Sequence, residues 1–277
     1  MKKNKYPIVM TIAGFDGSGG AGIQADIKTA SALGCFSTSV LTALPIQNTQ
    51  GVRKIYPVSI EAVKDQIASL MEDVVPDAIK IGMVHTSELV ETIVSTLANY
   101  KKVPIVFDPV MVATSGHRLI EEETLQAIIK LLIPLADLIT PNMDESAVLA
   151  KTKVKTLAQM KAAGMDMKAL GCKNILLKGG HQESTTITSL LVDEACRYHA
   201  FEFKKIDTDN THGSGCTLSS AIASFIARGK GLHEAVALGQ QYVFNAIENG
   251  ADVQTGAGNG PLNHFFDPHQ LIKREIV

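Results

Sequence analysis

The stretch Pro7-Ile-Val-Met-Thr-Ile-Ala-Gly-Phe-Asp-Gly-Ser-Gly-Gly-Ala-Gly22 runs from an apolar segment into a glycine loop, and a helical pattern continues from Gly22 to about Leu33. A strand that feeds a loop and then a helix opens a βαβ unit, and such units build parallel sheets. The same alternation continues along the chain. Strand-like runs occur at Ser37–Leu44, Ala78–Ile81, Ile105–Phe107, Leu138–Thr140 and Asn174–Leu177. Helical patterns occur at Val63–Met71, Leu89–Ala98, Thr124–Leu132, Met143–Ala150 and Leu157–Leu170. Ile187–Val192 and Tyr198–Phe203 read as a hairpin, followed by helices over Gly213–Ala227 and Leu232–Glu248 and an irregular, glycine-rich stretch from Gly250 to Asn263. The expectation is an α/β fold with a mostly parallel sheet and helices on both faces. No linker, repeat or low-complexity tract divides it, so one domain is expected over residues 1–277.

Composition narrows the class. With 45% hydrophobic and 19% charged residues, the chain has ample material for a large core and little tendency to disorder. Twenty-six Lys and Arg stand against 28 Asp and Glu, a net charge of −2 without a basic stripe, which disfavours nucleic-acid binding. No apolar run reaches signal or membrane-spanning length. The four cysteines (Cys35, Cys172, Cys196, Cys216) show no CxxC or Cys/His ligand spacing. A cytoplasmic protein with free thiols and no membrane or nucleic-acid partner is the expectation.

Ligands of open parallel sheets bind beyond the carboxyl ends of the strands. The chemically loaded segments fall there: Gly14–Gly22, Gln47-Asn-Thr49, Gly82-Met83, Asp108-Pro-Val110, Asn142–Glu145 and Lys178-Gly-Gly180. Gly17-Ser-Gly-Gly-Ala-Gly22 matches G-x-G-x-x-G, but the acidic partner a dinucleotide site needs is missing: no Asp or Glu lies between Asp26 and Glu61. The loop instead suits close backbone approach to a small ligand. Asn210-Thr-His-Gly-Ser-Gly-Cys-Thr217 precedes a helix of small residues. Unpaired N–H groups at a helix start bind anions, so Gly213, Ser214 and Gly215 are candidates for a phosphoryl site. Cys216, at the same helix start, is expected to have a lowered pKa and to accept a proton from a substrate hydroxyl. Taken alone, the same residues also read as a helix cap with a small buried cysteine, and Asn142–Glu145 as an N-cap with an acidic first turn.

These segments, with Thr11–Lys28, Ile79-Lys-Ile-Gly-Met83, Thr140-Pro-Asn142 and Leu177-Lys-Gly-Gly-His181, resemble the bacterial hydroxymethylpyrimidine/phosphomethylpyrimidine kinases of thiamine biosynthesis, members of the ribokinase-like superfamily. The resemblance runs from about Thr11 to about Gly250. It implies a three-layer α/β/α sandwich, a homodimer, and ATP-dependent phosphorylation of the hydroxymethylpyrimidine and then of its monophosphate, with Mg²⁺. It also implies roles: Cys216 as the base beside an anion hole at Gly213–Cys216, Lys178 on the nucleotide phosphates, and Asp108, Asn142, Glu145 and Thr217 around Mg²⁺ and the nucleotide, with Asp108 and Glu145 toward the metal. Gly14, Asp26, Gln47, Met83, Val110 and Cys216 would line the pyrimidine pocket. A Gln amide matches the acceptor and donor of an aminopyrimidine edge, which independently supports Gln47. A pyridoxal kinase of the same cysteine-bearing type is the alternative within the fold, and an inactive precursor-binding relative the alternative outside it. Phe15, Pro45-Ile46 and His85 depart from the family pattern and bear on substrate preference. Thr114–Arg118 is a candidate cover segment or an ordinary surface loop.

Overall fold

The computed structural model describes residues 3–111, 120–179 and 185–276; the Thr114–Arg118 segment and the Gly180 and His181 positions lie outside them. The first half contains β1 (Asn4–Lys5), β2 (Ile8–Ala13), α1 (Gly22–Ala32), β3 (Phe36–Leu41), β4 (Ala43–Asn48), β5 (Gly51–Pro57), α2 (Ile60–Asp73), β6 (Ala78–Ile81), α3 (Ser87–Leu97) and β7 (Ile105–Phe107). The second half contains α4 (Glu122–Ala127), a π-helical turn (Ile128–Leu132), α5 (Ile133–Leu135), β8 (Leu138–Ile139), α6 (Met143–Ala150), α7 (Leu157–Ala169) and β9 (Ile175–Leu177). It ends with β10 (Thr186–Val192), β11 (Tyr198–Lys204), α8 (Ser214–Ala227), α9 (Leu232–Glu248) and β12 (Arg274–Glu275).

An eight-stranded sheet runs β11-β10-β9-β8-β7-β6-β2-β3. Strands β3 through β9 in that order are parallel, and β10 and β11 close one edge antiparallel. Side-chain alternation sorts the two helical layers. Met10, Ile12, Ile79 and Ile81 pack with Val63 of α2, Leu89 of α3 and Met160 of α7 on one face. On the other, Val9 and Ala78 pack with Ala30 of α1, Ile222 of α8 and Val236 of α9. Each buried aliphatic side chain contributes roughly 1.5–3 kcal/mol. The result is an α/β/α sandwich, as expected.

Helix α8 is buried nearly all round by Thr217, Ser219, Ser220, Ala221, Ile222, Ala223 and Ser224. Small residues allow this: a Cβ on Gly239 of α9 would lie 2.7 Å from Ile222 Cγ1. Close packing on every side fixes the N-terminus of α8 at the ends of the parallel strands. Polar caps start two other helices ahead of their apolar periodicity. Ser59 Oγ accepts from Ala62 N at 3.2 Å before α2, and Thr86 Oγ1 from Leu89 N at 3.2 Å before α3.

One expected element differs. The run Ser37–Leu44 is not a single strand: β3 ends at Leu41 and the chain restarts as β4, which pairs antiparallel with β5 outside the main sheet. Thr42 N donates to Ala13 O and Phe15 N to Ala43 O, holding this crossover against the end of β2. From Ala43 the side chains alternate, Ala43 and Pro45 inward, Leu44 and Ile46 outward, so the apolar pattern carries on as a new strand. Gln47 therefore sits in a strand, where the register shifts between Ile46 and Gln47, and not in a loop.

Candidate active site

A cavity of about 860 Å³ opens at the carboxyl ends of the parallel strands, inside the range of small-molecule sites. Its walls bring together Gly14, Gln47, Met83, Val110, Asp108, Asn142, Glu145, Lys178, Gly213, Ser214, Gly215 and Cys216 from segments far apart in sequence. Two residues expected beside them lie elsewhere. Asp26 is buried beneath the floor, taking both its oxygens to Lys80 Nζ at 2.9 and 2.8 Å. Thr217 is fully buried, its hydroxyl donating to Gly213 O at 2.9 Å and accepting from His264 Nε2 at 3.1 Å, so it braces the start of α8 from behind. Helix geometry explains Thr217: α8 points Cys216 into the cavity and turns the next residue away.

The two glycine loops touch. Gly213, at φ +82°, caps α8, and a Cβ there would collide with Gly20 O. Asp16 ties the pair together. Its carboxylate is fully buried and accepts N–H bonds from Ser18, Gly20 and Ala21 at 2.9, 3.1 and 2.7 Å, and a bond from His212 Nε2 at 2.9 Å. The Gln47 amide is close enough to favour the charged carboxylate as well. Burial raises the Asp16 pKa, but these donors outweigh it and hold the carboxyl well below its usual range. Asp16 and His212 were in quoted motifs without a role; nothing in their spacing announces that residues 196 positions apart meet.

Facing the glycine N-terminus is a charged cluster. Lys178 Nζ donates to Asp108 Oδ1 at 2.7 Å and lies 3.9 Å from Glu145 Oε2. Thr140 Oγ1 donates to the same Asp108 oxygen at 3.0 Å. Asn142 and Glu145 form a capping box: Glu145 N donates to Asn142 Oδ1 at 2.8 Å and Asn142 N to Glu145 Oε2 at 2.7 Å. Burial pushes the Glu145 carboxyl up to about 7, with Lys178 opposing and Asp108 reinforcing the rise. For Lys178, burial works against the cation, and Asp108 and Glu145 more than restore it. Among the described residues, no group of three or more His, Cys, Asp and Glu side chains stands ready to hold a metal alone. Two carboxylates beside one ammonium do fit a Mg²⁺ that keeps its own waters and takes other oxygens from phosphates.

Cys216 departs from expectation. Burial pushes its thiol up to about 11. The Lys80 ammonium pulls it down, Asp26 and Asp108 push it up, and the Gly22 backbone N–H nearby pulls down again. The helix N-terminus alone does not yield a thiolate. The far end of the cavity is apolar, lined by Leu218, Val243, Phe244 and Ile247 with Gln240 at its side. These residues lie on the helical faces that periodicity assigns to the core, which hid them from the sequence reading.

A closed polar end, an apolar end and a lysine–carboxylate cluster between them suit a small acceptor and a nucleotide meeting head to head, the arrangement of the ribokinase-like kinases. The chain belongs to one family of that class, phosphomethylpyrimidine kinase, whose model matches residues 16–263. It is 38% identical over 257 residues to the hydroxymethylpyrimidine/phosphomethylpyrimidine kinase of Bacillus subtilis, covering 92% of this chain and 94% of that one. It is 41% identical over 266 residues to a thiamine biosynthesis bifunctional protein of Geobacter sulfurreducens, where it covers 96% of its own length and 54% of the relative, about half. Among solved structures, the phosphomethylpyrimidine kinase of Clostridium difficile superimposes with a TM-score of 0.77 at 41% identity, over 87% of this chain and 99% of the other. The pyridoxal kinase of Bacillus subtilis, in its ADP complex, gives 0.86 at 31% identity over 94% and 98%.

Proposed function

We propose that this chain transfers the γ-phosphoryl group of ATP to the hydroxymethyl oxygen of 4-amino-5-hydroxymethyl-2-methylpyrimidine, and then to the resulting monophosphate, in thiamine biosynthesis. The observation that carries this reading is the shared cavity: Gln47, which matches an aminopyrimidine edge, and the Gly213–Cys216 helix start, which suits a transferring phosphoryl group, face the same space. A Gln47 N–H and the amide oxygen serve the ring nitrogen and the exocyclic amine. Gly14, Met83 and Val110 pack on the ring. The apolar end at Val243, Phe244 and Ile247 takes the adenine.

Phosphoryl transfer needs positioning and charge neutralisation more than covalent chemistry. Lys178 neutralises the phosphates from one side and the α8 N–H groups receive the moving phosphoryl from the other. Asp108 and Glu145 would hold a Mg²⁺ directly or through water, and it would supply charge neutralisation on the nucleotide phosphates. Cys216 accepts the proton as the substrate O–H bond breaks and the oxygen bonds phosphorus, with ADP leaving. Lining residues run from Ala13 to Asn259, so the chain works as one catalytic unit.

The protein works as a homodimer. A two-stranded ribbon is marginal by itself, and β4–β5 exposes Leu44, Ile46, Val52 and Tyr56, apolar side chains that a second copy covers. Sedimentation as a monomer at micromolar concentration would remove this assignment. Four free cysteines fit a reducing cytoplasm. The pyridoxal kinase likeness supports a second reading, phosphorylation of pyridoxal in the same pocket. Turnover of ATP with the pyrimidine, its monophosphate and pyridoxal, measured side by side, decides between them. Preference for pyridoxal overturns the first reading, and absence of product with all three overturns both.

A further inference from the structure

Lys80 is fully buried, one of the largest such side chains among the described residues. Strand alternation turns Ile79 and Ile81 into one apolar layer and Lys80 into the other, between α1 and α8. There its Nζ meets both oxygens of Asp26 of α1, at 2.9 and 2.8 Å. Asp26 is anchored in turn by the hydroxyls of Thr11 and of Ser220, the latter at 2.6 Å. Ser220 lies one helical turn after Cys216 on α8. Lys80 and Cys216 both line the cavity. A Cβ at residue 82 would stand 2.8 Å from Lys80 Nζ, so Gly82 keeps the space open. An ammonium has three N–H donors, and Asp26 takes two. Among the described residues the third has no oxygen or nitrogen acceptor.

We propose that Lys80 is the positioning residue for Cys216: the ammonium, clamped by Asp26 and set in the wall of the same cavity, stabilises by its charge the thiolate that takes the substrate's proton. This rests on the kinase reading above for its purpose, though not for its geometry. The charged groups around the sulfur come from four elements: Lys80 on β6, Asp26 on α1, Asp108 after β7 and Lys178 after β9. Two cations and two carboxylates oppose one another there. The attraction of Lys80 heads the influences that favour the thiolate, against burial. A lone buried cation would lose its proton, and Asp26 prevents that. The pair is thus a fixed charge held at the floor of the pocket, with its counter-ion facing away from the substrate.

The test is the rate of Cys216 alkylation by iodoacetamide between pH 6 and 10, in a Cys196→Ser background because Cys196 is the exposed thiol while Cys35 and Cys172 are buried. Removing Lys80 alone leaves a buried carboxylate unpaired, so the variant is Lys80→Met with Asp26→Asn. With the parental unfolding transition retained, its alkylation at pH 8 should slow about tenfold, one pKa unit of thiolate. Turnover with the pyrimidine should fall with KM little changed. A folded variant alkylated at the parental rate overturns the proposal. If the double variant does not fold, Asp26→Asn alone serves: without its carboxylate partner the buried Lys80 sheds its proton, and alkylation should slow as in the double variant, whereas an unchanged or faster rate counts against the assignment. Alkylation needs no substrate. A parent protein without kinase activity whose thiol still follows Lys80 would sink the functional reading and leave this one standing.

Discussion

Cys216 and Glu145 are both moved by burial, and each shift has a consequence. A thiol raised to about 11 is protonated at neutral pH, so the base must be drawn out by its neighbours when the site fills. Serine holds its proton far more tightly. Cys216→Ser is expected to lower kcat by about 100-fold or more while pyrimidine affinity, measured by calorimetry, changes little. Equal turnover in the two proteins would take Cys216 out of the proton transfer. Glu145 works in the other direction. With its folded pKa raised to about 7, the folded state holds a proton that the unfolded state has released above the ordinary carboxylate pKa. Stability therefore falls as pH rises from about 4.5 to 7 and levels off above. Glu145→Gln keeps the capping-box acceptor and has no charge to bury. Thermal unfolding without ligands should find it more stable than the parent at pH 8, by on the order of 1 kcal/mol, with the gap closing at pH 5. A gap that widens toward acid contradicts the burial account.

Elements differ in how openly the sequence declares them. The βαβ alternation was legible because central strands such as β7 and β9 are unbroken apolar runs and each helix carries its own period. The β4–β5 ribbon was not, because it continues the apolar pattern of β3 without a glycine or proline break until Pro45, and β5 is a mostly exposed run with little core signal. The site was legible where a motif ends a strand: Gly14, Asp108, Asn142, Lys178 and Gly213–Cys216 all reach the cavity. It was illegible where a side chain's role depends on which face of an element it occupies. Lys80 and Asp26 read as a motif lysine and a pocket acid, and only strand alternation and the first turns of α1 put them under the floor together. The joint between the two glycine loops is likewise tertiary. Gly213→Ala tests it, because the new Cβ meets Gly20 O and takes an L-residue to φ +82°. Expected are a loss of roughly 1–3 kcal/mol in stability and a fall in kcat larger than the change in pyrimidine KM. A variant with parental stability and turnover would show that the loops need not touch.

At the scale of the whole molecule, charge is nearly balanced, with a formal net charge of −2, yet the cavity must hold the several negative charges of a nucleotide and a phosphorylated substrate. Two arrangements can do that. A broad basic field attracts anions from a distance and weakens steeply with salt. A few buried donors act only at contact, inside the screening length. This protein is built the second way: Lys178 side chain is 15% exposed, Lys80 is fully buried, and the α8 N-terminus is walled in by α1 and α9. Raising sodium chloride from 50 to 300 mM, with Mg²⁺ and pH fixed, shortens the Debye length from roughly 14 to 6 Å. That change should move the KM for ATP by less than about threefold, because pairs at 2.7–3.9 Å within a low-dielectric pocket are screened little. A tenfold or greater rise would mean that long-range attraction by surface lysines, rather than the buried cluster, gathers the nucleotide.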